Sequence, residues 1–195
     1  MSFDAVILVG GQGTRLASVV RDVPKPMASV MGRPFVDVIV DRLAQQGVKR
    51  IIMATGHKAD VIHDHYKDDP RIVCIREDVP MGTGGAILNA LAQVPDMTDP
   101  FYVLNGDSFY PFDLSAFDAK GGLLLGAVEM DDSSRYGTLS VGEGDAIDAF
   151  VEKTGATTPG LVSAGVYRLD RSVFAGRALG PLSLEKDIFP QLAAA

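Results

Sequence analysis

Leu8-Val9-Gly10-Gly11-Gln12-Gly13-Thr14-Arg15-Leu16 crowds three glycines and an arginine into one stretch directly after an apolar run. Three glycines let the main chain approach a bulky anion and point several N–H groups at it. Arg15 adds a planar fork that matches phosphate oxygens. Further on, Val23-Pro24-Lys25-Pro26-Met27 sets a lysine between two prolines. The prolines fix φ and predict a locally extended chain, presenting a point charge to a phosphoryl group with little ordering cost. Taken singly, these stretches also read as a tight turn with a surface arginine and a rigid loop with a solvated lysine. Their closeness in sequence favours one phosphate site. It is neither of two familiar kinds: Thr14-Arg15 stands where a Walker loop needs Lys then Ser or Thr, and Leu16 where the dinucleotide fingerprint needs Gly or Ala. The acid that such a fingerprint wants after the second strand is also missing, because Thr55-Gly56-His57 stands there. An NAD-dependent oxidoreductase is excluded on these grounds.

Other groups carry two readings each at this point. Asp107, in Asn105-Gly106-Asp107-Ser108, is a turn aspartate beside glycine or a hard metal ligand. Gly82-Thr83-Gly84-Gly85 is a helix start capped by Thr83 or a turn that lets a flat ligand lie on main chain. Glu152-Lys153 is a solvated pair at a strand end or a ligand pair. His57, His63 and His65 carry no chemistry in this reading, since His63 and His65 fall on different faces of a helix. Cys74 reads as a buried thiol and, as the single cysteine, excludes an internal disulfide and suits a reducing compartment. No Ser-His-Asp or paired-carboxylate arrangement stands out.

The elements that must position these groups alternate. Residues 3–9, 49–55, 72–75 and 101–104 read as strands, and 35–46, 59–66 and 84–94 as helices, with Gly47 stopping the first helix. This series predicts an α/β fold: a Rossmann-like, mainly parallel sheet with helices on both faces. The later chain reads as strands at 123–130, 137–141, 146–151 and 160–169, with helices at 172–178 and 184–194. These should extend the sheet into a mixed one and form a small β-rich lobe. One domain over 1–195 is expected, in two halves, 1–112 and 113–195, with a soft boundary and no flexible linker.

The 195 residues are 47% hydrophobic and 22% charged, enough to bury a core without disulfides or metal. Lys plus Arg is 18 against 25 Asp plus Glu, a net charge of −7 that disfavours nucleic acid as a partner. The first residues carry no basic signal region and no apolar run is long enough to span a membrane, so a cytoplasmic protein with no membrane partner is expected.

Together the stretches Gly10 to Leu16, Pro24 to Pro26, Gly82 to Ala86 and Asn105 to Ser108 resemble, in order, the signature segments of the sugar-phosphate nucleotidyltransferases, also called nucleotide-sugar pyrophosphorylases. The likeness runs over nearly the whole chain and implies a GT-A-like fold. Val151-Glu152-Lys153 and Ser163-Ala164-Gly165-Val166-Tyr167 resemble the family's sugar-site segments. The implied reaction transfers a nucleotidyl group from a nucleoside triphosphate to a sugar 1-phosphate and releases pyrophosphate, with Mg²⁺ as cofactor. By resemblance the nucleotide is held by Leu8, Gly10, Gly11, Gly13, Thr14, Arg15, Lys25, Gly82, Thr83 and Gly84, Arg15 gripping the β- and γ-phosphates and Lys25 the α-phosphate. Asp107 is the metal ligand, and Arg15, Lys25 and Asp107 are the catalytic set. Asn105, Gly137, Glu152, Lys153 and Ser163 would hold the sugar phosphate, in the 113–195 half and at the end of the strand before it.

Asp22 to Ala28, Gly82 to Ile87 and Ser183 to Pro190 resemble most the branch that joins GTP to D-glycero-α-D-manno-heptose 1-phosphate. The N-acetylmuramate 1-phosphate uridylyltransferase and mannose 1-phosphate guanylyltransferase branches remain alternatives, as does a nucleotide-sugar-binding regulatory domain without turnover. Two departures stand out. Ser163 replaces the Asn usual before Ala-Gly. The family's C-terminal segment, with an Asp that supplies a second metal ligand, has no match here, so poor turnover is expected of this length of chain.

Overall fold

A computed structural model describes residues 3–11, 22–151, 155 and 157–194. β1 (Asp4–Leu8) sets the layers: Ala5 and Ile7 pack to one side and Val6 to the other, all fully buried. That two-residue period is what a strand buried on both faces requires. A hairpin of β2 (Ser29–Val30) and β3 (Arg33–Pro34) follows, then α1 (Phe35–Gln45), whose Val36, Ile39, Val40 and Leu43 are all buried. Gly47, at φ +86°, turns the chain away after α1. β4 (Arg50–Thr55), α2 (Ala59–Tyr66), β5 (Ile72–Arg76), α3 (Gly82–Gln93) and β6 (Phe101–Asn105) complete the alternating part.

The later chain adds α4 (Leu114–Lys120), β7 (Leu124–Met130), β8 (Thr138–Val141), β9 (Ile147–Val151), β10 (Gly160–Leu169) and α5 (Phe189–Ala193). One sheet runs in the order β5-β4-β1-β6-β10-β8-β9, with β7 also on β10. The first four strands are parallel, whereas β10 runs antiparallel to β6. α1, α2 and α4 cover one face, and α3 with the chain from Leu184 to Phe189 covers the other. The expected mixed, mainly parallel sheet is therefore observed, and β10 carries it through both halves. Among the described residues no helix is long and apolar enough to cross a membrane.

Several local expectations differ. α3 starts at Gly82 rather than Gly84. The helix expected at 172–178 is a 3₁₀ turn, Arg171–Phe174, whose Asp170 accepts from the Ser172 N–H at 2.9 Å. The helix expected at 184–194 is a wide π-type turn, Leu184–Ile188, leading into α5. Pro190, in the first turn of α5, has no N–H to return to the carbonyl four residues back, so the ladder shifts there. The β2–β3 hairpin and α4 were not expected; both are too short for periodicity to announce them.

Candidate active site

β4 and β5 lie on one side of β1 and β6 on the other, so the strand order reverses at β1. In open α/β sheets a crevice opens beyond the carboxyl ends of the strands at that point. Main-chain bonds fix it: the Val9 N–H donates to Ala54 O at 3.0 Å, Gly106 N–H to Leu8 O at 3.0 Å and His57 N–H to Gly10 O at 3.1 Å. A Cβ on Gly10 would come within 2.5 Å of Glu77 Oε1, which would have to move, and 3.3 Å of Gly56 N. A cavity of about 570 Å³ occupies the crevice. The ends of β1 and β6 supply Leu8, Gly10, Gly11, Asn105 and Asp107 to it, and the chain after β5 supplies Glu77, Gly82 and Thr83.

Lys25 reaches the cavity from a 3₁₀ turn, Lys25–Met27, so the chain is not extended through the lysine as expected. Pro24 alone is extended (φ −67°, ψ 153°), and Pro26 sits in the first turn, where a missing N–H costs nothing. The Lys25 ammonium donates to Asp107 Oδ2 at 2.6 Å, and Ser108 Oγ to Asp107 Oδ1 at 3.2 Å. Both partners are partly exposed, and an ion pair in such surroundings contributes little net energy, so each is free to exchange its partner for a ligand. Among the described residues no group of three or more His, Cys, Asp or Glu side chains converges as a metal cage.

The glycine turn also has a task within the chain, beside Gly82 and Thr83 lining the cavity. Gly84 and Gly85 N–H groups both donate to Leu182 O, at 2.9 and 3.1 Å, and the Leu182 N–H donates to Met81 O at 2.9 Å. A Cβ on Gly82 would meet Leu182 O at 2.6 Å, and one on Gly85 would run into Gly180 O. These glycines seat the 180–182 segment, and Gly84 and Gly85 do not offer their N–H groups to the cavity. Nor does Thr83 cap α3: its hydroxyl accepts from the Leu184 N–H at 2.8 Å and donates to Glu185 Oε2 at 2.9 Å.

Four ionisable lining residues were missed in the sequence: His57, Glu77, Asp78 and Glu185. His57, given a bland reading, lines the cavity; His63 and His65 are engaged elsewhere, with Thr55 at 3.0 Å and Asp37 at 2.9 Å. Glu77, directly after β5, turns Oε2 to the Met81 N–H at 2.7 Å and leaves Oε1 beside Gly10. Burial raises its pKa above the usual carboxylate value, partly offset by the Met81 N–H. Glu185 comes from the distant Leu184–Ile188 turn. For Glu77 a signal existed: it is an acid at the carboxyl end of a parallel strand. Glu185 had none, because only the fold brings it to α3.

Residues 4–192 match the nucleotidyl transferase family. The chain belongs to this family. It is 40% identical over 179 residues to the D-glycero-α-D-manno-heptose 1-phosphate guanylyltransferase of Campylobacter jejuni, covering 90% of this chain and 79% of that one. It is 35% identical over 202 residues to a probable mannose-1-phosphate guanylyltransferase of Oryza sativa, covering 97% of this chain and 56% of that one, little more than half its length. A crystal structure of HddC from Yersinia pseudotuberculosis complexed with GMP-PN superposes with a TM-score of 0.84 at 38% identity, over 97% of this chain and 86% of HddC.

In this nucleotidyl transferase the cavity brings together Leu8, Gly10, Gly11, Lys25, Gly82, Thr83, Asn105 and Asp107 of the expected site. Gly84 packs behind it against Leu182 and Ile188. Ser163 stands one layer away: its hydroxyl pairs with Tyr167 Oη at 3.1 Å and accepts from the Gly165 N–H at 3.2 Å. Gly137 lies just before β8, with Val151 O at 3.2 Å from where its Cβ would be. Gly13, Thr14, Arg15, Glu152 and Lys153 fall outside the described residues.

Proposed function

We propose that this nucleotidyl transferase joins GTP to a sugar 1-phosphate, D-glycero-α-D-manno-heptose 1-phosphate in particular, and releases pyrophosphate. The observation that carries the guanine assignment is Glu77. Guanine presents adjacent donors, N1–H and N2–H₂, and an ionised carboxylate is an acceptor only. Glu77 lines the cavity, held by the Met81 N–H through Oε2 and with Oε1 beside Gly10. Uracil offers a single donor between two carbonyls, and a carboxylate meets those carbonyls with repulsion. The names of the Campylobacter and Oryza relatives, both guanylyltransferases, support the same reading.

A sugar phosphate oxygen attacks the α-phosphorus in line, forming one P–O bond as the bond to the pyrophosphate oxygen breaks. The second pKa of a phosphate monoester is about 6, so the nucleophile is already largely dianionic at neutral pH and needs no general base. The protein's work is alignment and charge neutralisation. Lys25 releases Asp107 and meets the α-phosphate; Gly10, Gly11, Gly13, Thr14 and Arg15 hold the β- and γ-phosphates. Asn105, Gly137, Glu152, Lys153 and Ser163 serve the acceptor side.

Asp107, a hard oxygen donor lining the cavity, would hold Mg²⁺. When bound, the ion would supply neutralisation of phosphate charge. A cytoplasmic setting suits both the triphosphate and the lone thiol, Cys74, whose pKa burial pushes up to about 11.

The test crosses four nucleoside triphosphates with heptose, mannose, glucose and N-acetylmuramate 1-phosphates, with and without Mg²⁺, and reads pyrophosphate release. GTP with the heptose phosphate and Mg²⁺ should give the highest kcat/KM. A preference for UTP would overturn the role given to Glu77.

A further inference from the structure

The Glu185 carboxylate is unusually well oriented for an exposed acid. Its Oε2 accepts from Thr83 Oγ at 2.9 Å and from Ser183 Oγ at 2.9 Å, two hydroxyls on separate elements. Those hydroxyls are themselves fixed, Thr83 by the Leu184 N–H at 2.8 Å and Ser183 by the Lys186 N–H at 3.2 Å. Oε1 has no hydrogen-bond partner, and no cation pairs with the group, among the described residues. Glu185 lines the cavity, so the structure offers there a preoriented acceptor with unused lone pairs.

Such a group repels phosphate and takes hydroxyl hydrogen atoms. Its neighbours say which hydroxyls. Tyr167 Oη pairs with Ser163 Oγ at 3.1 Å, and that phenol is pushed up to about 12 by burial first and by the nearby Glu185 charge in addition. Glu185 shares the cavity with Asn105 and Asp107 at the end of β6. With the α-phosphate at Lys25 and Asp107, the acceptor sugar attached through its 1-phosphate lies on that same side.

We propose that Glu185 determines acceptor specificity, its free oxygen accepting hydrogen bonds from the ring hydroxyls of the sugar 1-phosphate. This rests on the reading given under Proposed function. The same negative charge disfavours a sugar that carries a carboxylate, so Glu185 selects neutral polyhydroxylated acceptors over an acidic one such as N-acetylmuramate 1-phosphate.

Glu185→Gln keeps the shape and an oxygen for the Thr83 and Ser183 hydroxyls, and removes the charge. Steady-state pyrophosphate release should show KM for the heptose phosphate rising about tenfold or more, the loss of one charge-assisted hydrogen bond. KM for GTP should stay within about twofold, and N-acetylmuramate 1-phosphate should gain in kcat/KM relative to the heptose phosphate. A rise in the GTP KM instead would mean a ribose contact and overturn the proposal. Unchanged values for both substrates would reduce Glu185 to a brace for Thr83, and also overturn it. A wild-type chain that turns over no sugar 1-phosphate would overturn the functional reading itself, an outcome distinct from an active wild type with an indifferent variant.

Discussion

Burial of Glu77 favours its neutral acid, and among the described residues the Met81 N–H supports the anion. The direction of the effect follows. A carboxyl with a raised pKa takes up its proton at a higher pH than an ordinary one near 4.3, and the neutral acid is a poor partner for two guanine donors. GTP affinity should therefore fall as pH falls, beginning above the usual carboxylate range. Glu77→Gln should weaken GTP about tenfold or more and lose that acid limb; calorimetric titrations of both proteins across pH check it, and superimposable profiles would refute it. Lys25→Ala should act differently. Its charge is best used where negative charge develops, so kcat should drop on the order of 10²-fold or more with a smaller change in nucleotide affinity. Pre-steady-state turnover alongside equilibrium binding separates the two, and equal mild losses would remove Lys25 from the reaction. Lys25 and Asp107 were legible in the sequence as residue types in telling settings. Their mutual ion pair was not, since it joins residues 82 positions apart.

At the scale of elements, the turn before α3 and the segment around Leu182 are one unit. The turn's glycines read in sequence as a ligand cradle, because the pattern shows that main chain must be approached closely but not by what. Three main-chain bonds, Gly84 and Gly85 to Leu182 O and Leu182 to Met81 O, show that the chain itself makes part of that approach, while Gly82 and Thr83 line the cavity. Gly85→Ala places a methyl group against Gly180 O and Met81 Cβ, the latter at 2.9 Å, so one of them must move. A loss of about 1–3 kcal/mol is expected from such overpacking, measurable by urea denaturation. Gly85 does not line the cavity, so nucleotide affinity should change less than for a change at Thr83; an unaltered midpoint would mean the 180–182 segment is free to withdraw. Long periodic elements such as α1 and α2 were legible because their apolar spacing matches the helix they form. The π-type turn at Leu184–Ile188 was not, since its apolar residues also fit an ordinary helix and only the main-chain ladder distinguishes the two.

Across the whole molecule, the two ends of the sheet divide the work. The carboxyl ends of β1, β4 and β6 are left open for ligands, while the amino ends are tied together by one buried acid. Asp4, the first residue of β1, is 5% exposed; it accepts from Arg50 Nη2 at 2.6 Å, Arg50 Nε at 3.2 Å and the Thr98 N–H at 2.9 Å. Arg50 opens β4 and also pairs with Asp96 at 2.9 Å, and Thr98 lies in the approach to β6, so three strands share this knot. The parallel order was readable from the alternation of strands and helices, but the knot was not, because an Asp in an apolar strand carries no mark of its partner. Arg50→Ala leaves the Asp4 carboxylate buried with, among the described residues, only the Thr98 N–H to satisfy it. Removing one partner of a buried charge costs about 2–4 kcal/mol, less than a fully dry pair because Arg50 itself is partly exposed. For a domain of this length that lowers Tm by roughly 5–12 °C. The site lies at the far end of the strands, so KM for nucleotide and sugar phosphate below the melting range should be unchanged. Calorimetry with kinetics at 25 °C on the same preparation decides it: an unshifted Tm would mean the pair is idle, and raised KM values at full fold would mean that the two ends of the sheet are coupled.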